Sequence, residues 1–372
     1  MKSHVLYALL KERKYSFFSG VPCSYFTSLY NHILDDKAIQ YIAAPHEGLA
    51  TSIAAGAVLA GKKAAVIIQN SGFGNTINPV TSLCIPFGIP LIMFVSGRAY
   101  QIKDEPQHSV MGNSMHAMLR AIGVQVYDLG EQGEEIVRSD AEAHETKKPI
   151  ALVVKKGLLE QDKEGPQQRI TLPQTSTPVC MNKTHERMSR TIALQTIAQH
   201  TNGCAVITTT GTSSREFFTL ADRDGHFYMQ GSMGHAAGIG LGVALNTHKK
   251  VVVVDGDGAL LMHMGILSTI GFYQPKNLVH IVIDNEAYES TGSQYTTPVD
   301  FAQVAASCYY AFSSSCSTRS SFEKELQNAL LKDGPSLIHV KVGPSEKAEV
   351  PRITKALSQP ELAQRFMNFL RR

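Results

Sequence analysis

"VVVVDGDGALLMHMG", residues 251–265, joins four consecutive valines to two aspartates that alternate with two glycines. An unbroken β-branched run reads as a strand buried on both faces, the habit of a parallel sheet. Such sheets gather their ligand sites at the carboxyl ends of the strands, which is where Asp257 falls. A second apolar run, "VHIVID" (279–284), ends beside Asn285. Two neighbouring strands therefore offer a carboxylate and an amide oxygen side by side. With a backbone carbonyl and waters, that donor set suits Mg²⁺. Gly256 and Gly258 leave room for a diphosphate to approach the backbone.

Further apolar runs flank this one. "AAVIIQ" (64–69), "PLIMFVSG" (90–97), "VQVYDL" (124–129) and "IALVVKK" (150–156) precede it, while "CAVITTT" (204–210) and "SLIHVKV" (336–342) belong to its own half. Amphipathic segments separate them, so the class is α/β with doubly wound parallel sheets. A faint repeat pairs "EGLATSIAAGAVLAGKKAAVIIQNSG" (47–72) with "GHAAGIGLGVALNTHKKVVVVDGDG" (234–258). Two related domains are expected, 1–160 and 185–372, joined by a polar, proline-bearing linker at 161–184. Ala54, Ala55 and Gly56, like Gly238, Gly240 and Gly242, permit close approach by another helix or backbone, as at a domain or subunit interface.

Hydrophobic residues make up 43% and charged residues 18% of the 372, enough for sizeable cores and against global disorder. A net charge of +3 gives no reason to expect nucleic acid. Six cysteines without a CxxC pair point to reduced thiols and a cytoplasmic setting, not to a disulfide frame or zinc site. The N-terminus lacks the apolar run of a signal peptide or membrane span and reads as a helix with Val5, Leu6, Leu9 and Leu10 on one stripe. "TTTGTSSREFF" (208–218) turns from strand to helix, so Thr210, Gly211 and Thr212 sit where a helix N-terminus accepts anions.

The strand–GDG–helix unit with its downstream Asn resembles the thiamin diphosphate-dependent enzymes and implies their two-domain fold. On that resemblance Asp257, Asn285 and the carbonyl of Ala287 ligate Mg²⁺ beneath the cofactor's diphosphate. In "QGSMGHA" (230–236), Met233 after Ser232 would wedge between the two cofactor rings, with the carbonyl of Gly231 receiving the pyrimidine amino group. In "APHEGLA" (44–50), Glu47 would bond a pyrimidine nitrogen from the first domain. The first domain is then the pyrimidine-binding one and the second the diphosphate-binding one. Sites in the family form between subunits, which implies a homo-oligomer.

The short linker leaves no room for the third domain of the larger 2-oxo acid decarboxylases. "GVPCSYF" (21–27), "QNSGFGNTINPVTSL" (69–83), "KDEPQH" (103–108), "GDGALLMHMG" (256–265) and "YESTGSQ" (288–294) resemble the phosphonopyruvate decarboxylase family, with sulfopyruvate decarboxylases as near relatives. The resemblance implies non-oxidative decarboxylation of a small anionic 2-oxo acid to an aldehyde, here phosphonoacetaldehyde. His108 resembles in position the active-site histidines of pyruvate decarboxylases, with His235 and His263 as alternatives on the cofactor side. Where pyruvate decarboxylases carry an acid in the first-strand turn, this chain has Ser24, which does not repel a dianion. Arg98, Lys103 and Arg215, with Asn75 and Ser71 as neutral donors, are the candidate phosphonate partners. A nicotinamide dehydrogenase is disfavoured, because no strand leads into GxGxxG and "GIGLG" (238–242) falls inside a helix.

Overall fold

A computed structural model describes residues 1–165, 173–174, 176–180, 186–343 and 350–372. The chain divides into two compact units, Met1–Ile170 and Thr171–Arg372. The first is built on β1 (Tyr15–Gly20), β2 (Gln40–Ala43), β3 (Lys63–Gln69), β4 (Ile92–Ser96), β5 (Gln125–Asp128) and β6 (Ile150–Val154), all parallel, in the order β2-β1-β3-β4-β6-β5. Phe17, Phe18, Ile67, Phe94 and Leu152 are fully buried in this sheet, as the continuous apolar runs require.

The second unit contains β7 (Val179–Cys180), β8 (Ala205–Thr208), β9 (His226–Tyr228), β10 (Val251–Gly256), β11 (Leu278–Asp284), a two-strand antiparallel ribbon of β12 (Ala287–Tyr288) and β13 (Gln294–Tyr295), then β14 (Phe312–Cys316) and β15 (Ser336–Lys341). Its parallel sheet runs β7-β14-β15-β11-β10-β8-β9. Leaving out the short edge strand β7, the six principal strands of each unit, numbered in chain order, follow one order: 2-1-3-4-6-5. The faint sequence repeat is thus a repeated topology. In each unit the order reverses between the first and third strands, β1/β3 and β8/β10, and ligands favour the crevice at such a reversal.

Three elements carry little sequence signal. β1 is central although "YSFFSG" starts and ends in small or polar residues; β9 has only three residues. β14 reads "FSSSC", yet Ser313 and Ser314 are fully buried. In the first helix, Ser3–Glu12, Leu6 and Leu10 are buried while Val5 is exposed, so the stripe is narrower than its pattern. The expected linker falls partly outside the described residues. Its first part is tied to the first unit: Asp162 accepts bonds from the His4 backbone N–H (3.0 Å) and the Ser28 hydroxyl (2.7 Å). Cys23, Cys84, Cys204, Cys308 and Cys316 are free thiols. Among the described residues, no helix is long and apolar enough to cross a membrane.

Candidate active site

At the β8/β10 reversal a cavity of about 100 Å³ is lined by Thr209–Ser213, Met233, Gly256–Ala259, Asn285, Ala287 and Glu289, among others. Every cofactor and metal candidate of the second half except Gly231 and Ser232 lines it, and those two directly precede Met233. Asp257 opens a short helix and is buried; its Oδ2 accepts a 2.6 Å bond from the Thr296 hydroxyl just beyond β13. Burial pushes its carboxyl above the usual range; the Thr296 bond opposes this and the nearby Asp284 charge adds to it. Asp284 is itself buried, but bonds from His339 and Lys341, both 2.7 Å, hold it well below that range. The buried Asp257 carboxyl therefore has a hydroxyl donor and, among the described residues, no cationic partner of its own, a setting that a divalent cation fits.

The opposite wall suits an anion. Gly211 caps the helix Thr212–Ala221 with φ +89° and ψ −150°, a conformation reserved for glycine, and a Cβ there would meet open space. The first N–H groups of that helix thus face the cavity rim. Thr209 Oγ1 is buried without a partner among the described residues, a donor awaiting an acceptor. Gly256 also borders open space. At Gly258 a Cβ would lie 2.4 Å from the Tyr288 ring, so packing against that ring, and not only diphosphate access, demands glycine there. These features fit a diphosphate–metal group.

Asn285 is oriented by its neighbours. Its Nδ2 donates to Glu289 Oε2 (3.1 Å) and its Oδ1 accepts from the Ala287 N–H (3.3 Å). A carboxylate only accepts, so Glu289 selects the amide's NH₂ end and fixes where the oxygen lies. Glu289 is in turn bonded by the buried Arg190, whose Nε donates to Glu216 at 2.8 Å. Sequence reading missed Arg190, Glu216, Glu289 and Thr296. Glu289 and Thr296 lie close after "DN", but nothing in their spacing marks their targets, and Arg190 and Glu216 are distant in sequence.

Met233 is flanked by two left-handed residues, Ser232 (φ 55°) and Gly234 (φ 85°). A Cβ at 234 would lie 2.7 Å from the His263 ring, so the turn packs tightly and thrusts Met233 to the cavity wall. The His235 and His263 rings lie against each other, tilted by 39° with centroids 4.4 Å apart.

In the first unit, Glu47 begins the helix Glu47–Leu59, and its Oε2 accepts a 2.8 Å bond from Asn75 Nδ2. Gly72 lies against it: a Cβ there would fall 1.9 Å from Glu47 Oε1. Beside the carboxyl ends of β1, β3 and β4 runs a polar chain. The Cys23 thiol donates to Gln69 Oε1 (3.5 Å) and lies 3.3 Å from Ser96 Oγ, Gln69 Nε2 donates to Ser71 Oγ (3.0 Å), and Ser71 Oγ meets His108 Nδ1 at 2.9 Å. His108 is buried. The structure thus joins Ser71 to His108 and Asn75 to Glu47, both within one unit. Arg98 is engaged otherwise, by a two-point pair with Asp104 (2.6 and 2.9 Å). Ser24 and Lys103 are exposed.

Residues 2–121 match the thiamine pyrophosphate enzyme N-terminal TPP binding domain, and residues 206–340 match the C-terminal TPP binding domain. The chain is 38% identical over 367 residues to a phosphonopyruvate decarboxylase of Streptomyces viridochromogenes, covering 95% of this chain and 90% of that protein. It is 40% identical over 174 residues to sulfopyruvate decarboxylase subunit beta of Methanocaldococcus jannaschii, covering 45% of this chain and 88% of that one. The crystal structure of benzoylformate decarboxylase from Polynucleobacter necessarius matches with a TM-score of 0.73, covering 93% of this chain and all of that one. At 13% identity that likeness speaks for the fold alone.

Proposed function

Since the chain belongs to the thiamine pyrophosphate enzymes, within the phosphonopyruvate decarboxylase family, we propose that it releases CO₂ from 3-phosphonopyruvate to give phosphonoacetaldehyde. The observation that carries this reading is the 38% identity sustained over nine-tenths of a phosphonopyruvate decarboxylase. The carboxylate leaves as CO₂ and one proton takes its place on carbon, so no oxidant is needed.

When bound, thiamin diphosphate supplies a carbon nucleophile for the 2-oxo carbon and an electron sink as CO₂ departs. Asp257, Asn285 and the Ala287 carbonyl would hold Mg²⁺, and the Thr210–Gly211–Thr212 turn with Gly256 would take the diphosphate. The support is a buried carboxyl and a buried Thr209 hydroxyl, the first without a cationic partner and the second without a hydrogen-bond partner among the described residues, and an open glycine-capped helix start. Gly231, Ser232 and Met233 would seat the rings. Glu47 would hold a proton at the cofactor's pyrimidine nitrogen, kept in place by Asn75. His108, with Nδ1 taken by Ser71, would deliver a proton from Nε2 to the carbon that loses CO₂. A homo-oligomer in the cytoplasm completes the reading; sedimentation of the purified protein tests the assembly.

Sulfopyruvate is the second reading, favoured by the 40% identity to a sulfopyruvate decarboxylase subunit. CO₂ release from phosphonopyruvate, sulfopyruvate and pyruvate, with Mg²⁺ and thiamin diphosphate present, separates the two. We expect phosphonopyruvate to be preferred and Glu47→Gln to lose the activity. A preference for sulfopyruvate would reassign the substrate, and no CO₂ from any of them would remove the decarboxylase reading.

A further inference from the structure

Beside the cofactor cavity, at the same carboxyl edge of the second sheet, lies a larger pocket of about 370 Å³. Gly211 lines both. The remaining walls come from Ser214 and Arg215 on the helix after β8, Met229 and Gln230 just beyond β9, and Arg352 with its neighbours near the C-terminus. The chain's end is held there by specific contacts. Ile353 is buried, and Ser358 and Glu361 form a capping box at the start of the last helix, Gln359–Arg371. Arg365 then pairs with Asp222 at two points (2.8 and 2.7 Å), and Phe366 packs against Phe227 with centroids 5.5 Å apart.

The chemistry of this pocket is one-sided. Two guanidinium groups line it and, among the described residues, no carboxylate does. Among the described residues, neither Arg215 nor Arg352 forms an ion pair. Gln230 adds a side-chain amide whose nitrogen and oxygen are both buried without a partner among the described residues. Two like charges held near one space repel unless an anion joins them, and guanidinium forks match tetrahedral oxyanions through paired donors. A buried amide left unmatched costs free energy that a bound ligand would recover.

We propose that Arg352, Arg215 and Gln230 form the subsite for the substrate's phosphonate, an assignment that rests on the reaction proposed above. It adds a residue, Arg352, from the far C-terminus, and leaves Arg98 to its pair with Asp104. Ser214 offers no further donor, because its hydroxyl is shared with Thr208 (2.8 Å).

The test uses protein loaded with Mg²⁺ and thiamin diphosphate. Methylphosphonate binding is measured by calorimetry, and KM for phosphonopyruvate by CO₂ release, in wild type, R352Q and R215Q. Loss of a charge-assisted contact should raise Kd and KM about tenfold to a hundredfold in each variant. Selectivity over pyruvate should fall with them, while the Kd for thiamin diphosphate stays within about twofold. Unchanged Kd and KM would overturn the assignment. So would an equal rise in the cofactor's Kd, which would give the pocket to the diphosphate. Wild-type binding of methylphosphonate, weakened in both variants but without CO₂ release from phosphonopyruvate, would uphold the pocket and remove the proposed reaction.

Discussion

Gly72 and Glu47 share one volume: the space a side chain at 72 would take is filled by the Glu47 carboxylate, 1.9 Å from the position of a Cβ. The two residues stand twenty-five positions apart, on the turn after β3 and at the start of the helix that precedes it.

Gly72→Ala should therefore act like a mutation of Glu47. The methyl group forces the carboxylate off its bond with Asn75, and loss of a positioned acid costs about 10²- to 10⁴-fold in rate. We expect kcat to fall by that order with an unchanged Kd for Mg²⁺, whose proposed ligands all belong to the other unit. A variant with near wild-type kcat would show that Glu47 works from a different position.

Glu289 sets the orientation of Asn285. Glu289→Ala should weaken Mg²⁺ binding at the proposed Asp257–Asn285 site about tenfold to a hundredfold, the usual cost of losing a group that orients a ligand. Glu289→Gln should fall between, since its amide oxygen still accepts from Asn285 while its NH₂ lets the amide turn over. Mn²⁺ titration followed by electron paramagnetic resonance reads this directly; equal Kd values in all three proteins would exclude the orienting role.

His226 makes the fold sensitive to acid. Its ring is buried against Phe217 (centroids 5.0 Å apart), Nδ1 meets the Tyr228 hydroxyl at 2.9 Å, and Nε2 is buried without a partner. Burial, helped by the Arg223 charge, lowers its pKa to about 4. Between the ordinary histidine value and about 4 the unfolded chain binds the proton and the native one does not. Stability therefore falls as pH drops through that window, by about 3 kcal/mol in all. His226→Phe should flatten the dependence of the urea midpoint over the same range, even if it is less stable at neutral pH. Parallel curves would show that His226 contributes nothing to it.

Much of the fold was legible because buried parallel strands must be apolar throughout: β3, β4, β6, β10 and β11 declare themselves. β14 does not, since its serines are buried by their neighbours and not by their own hydrophobicity. The same contrast divides the site. Asp257, Asn285 and Gly211 stand at strand ends and a helix start, where local rules give them away. Arg190 and Thr296 act on residues that only the folded sheet brings near, so no spacing encodes them. Gly72 was visible as a glycine but not as the counter-shape of a carboxylate.

The twofold use of one strand order has a genetic consequence. Each unit closes its own sheet, and strand β7 already belongs to the second, so a stop and a fresh start codon placed between Gly165 and Val179 would interrupt no ladder formed by the described residues. One reading frame or two could encode the same pair of folds, which makes the covalent join a matter of stoichiometry: a single polypeptide delivers both halves in equal number from every translated message.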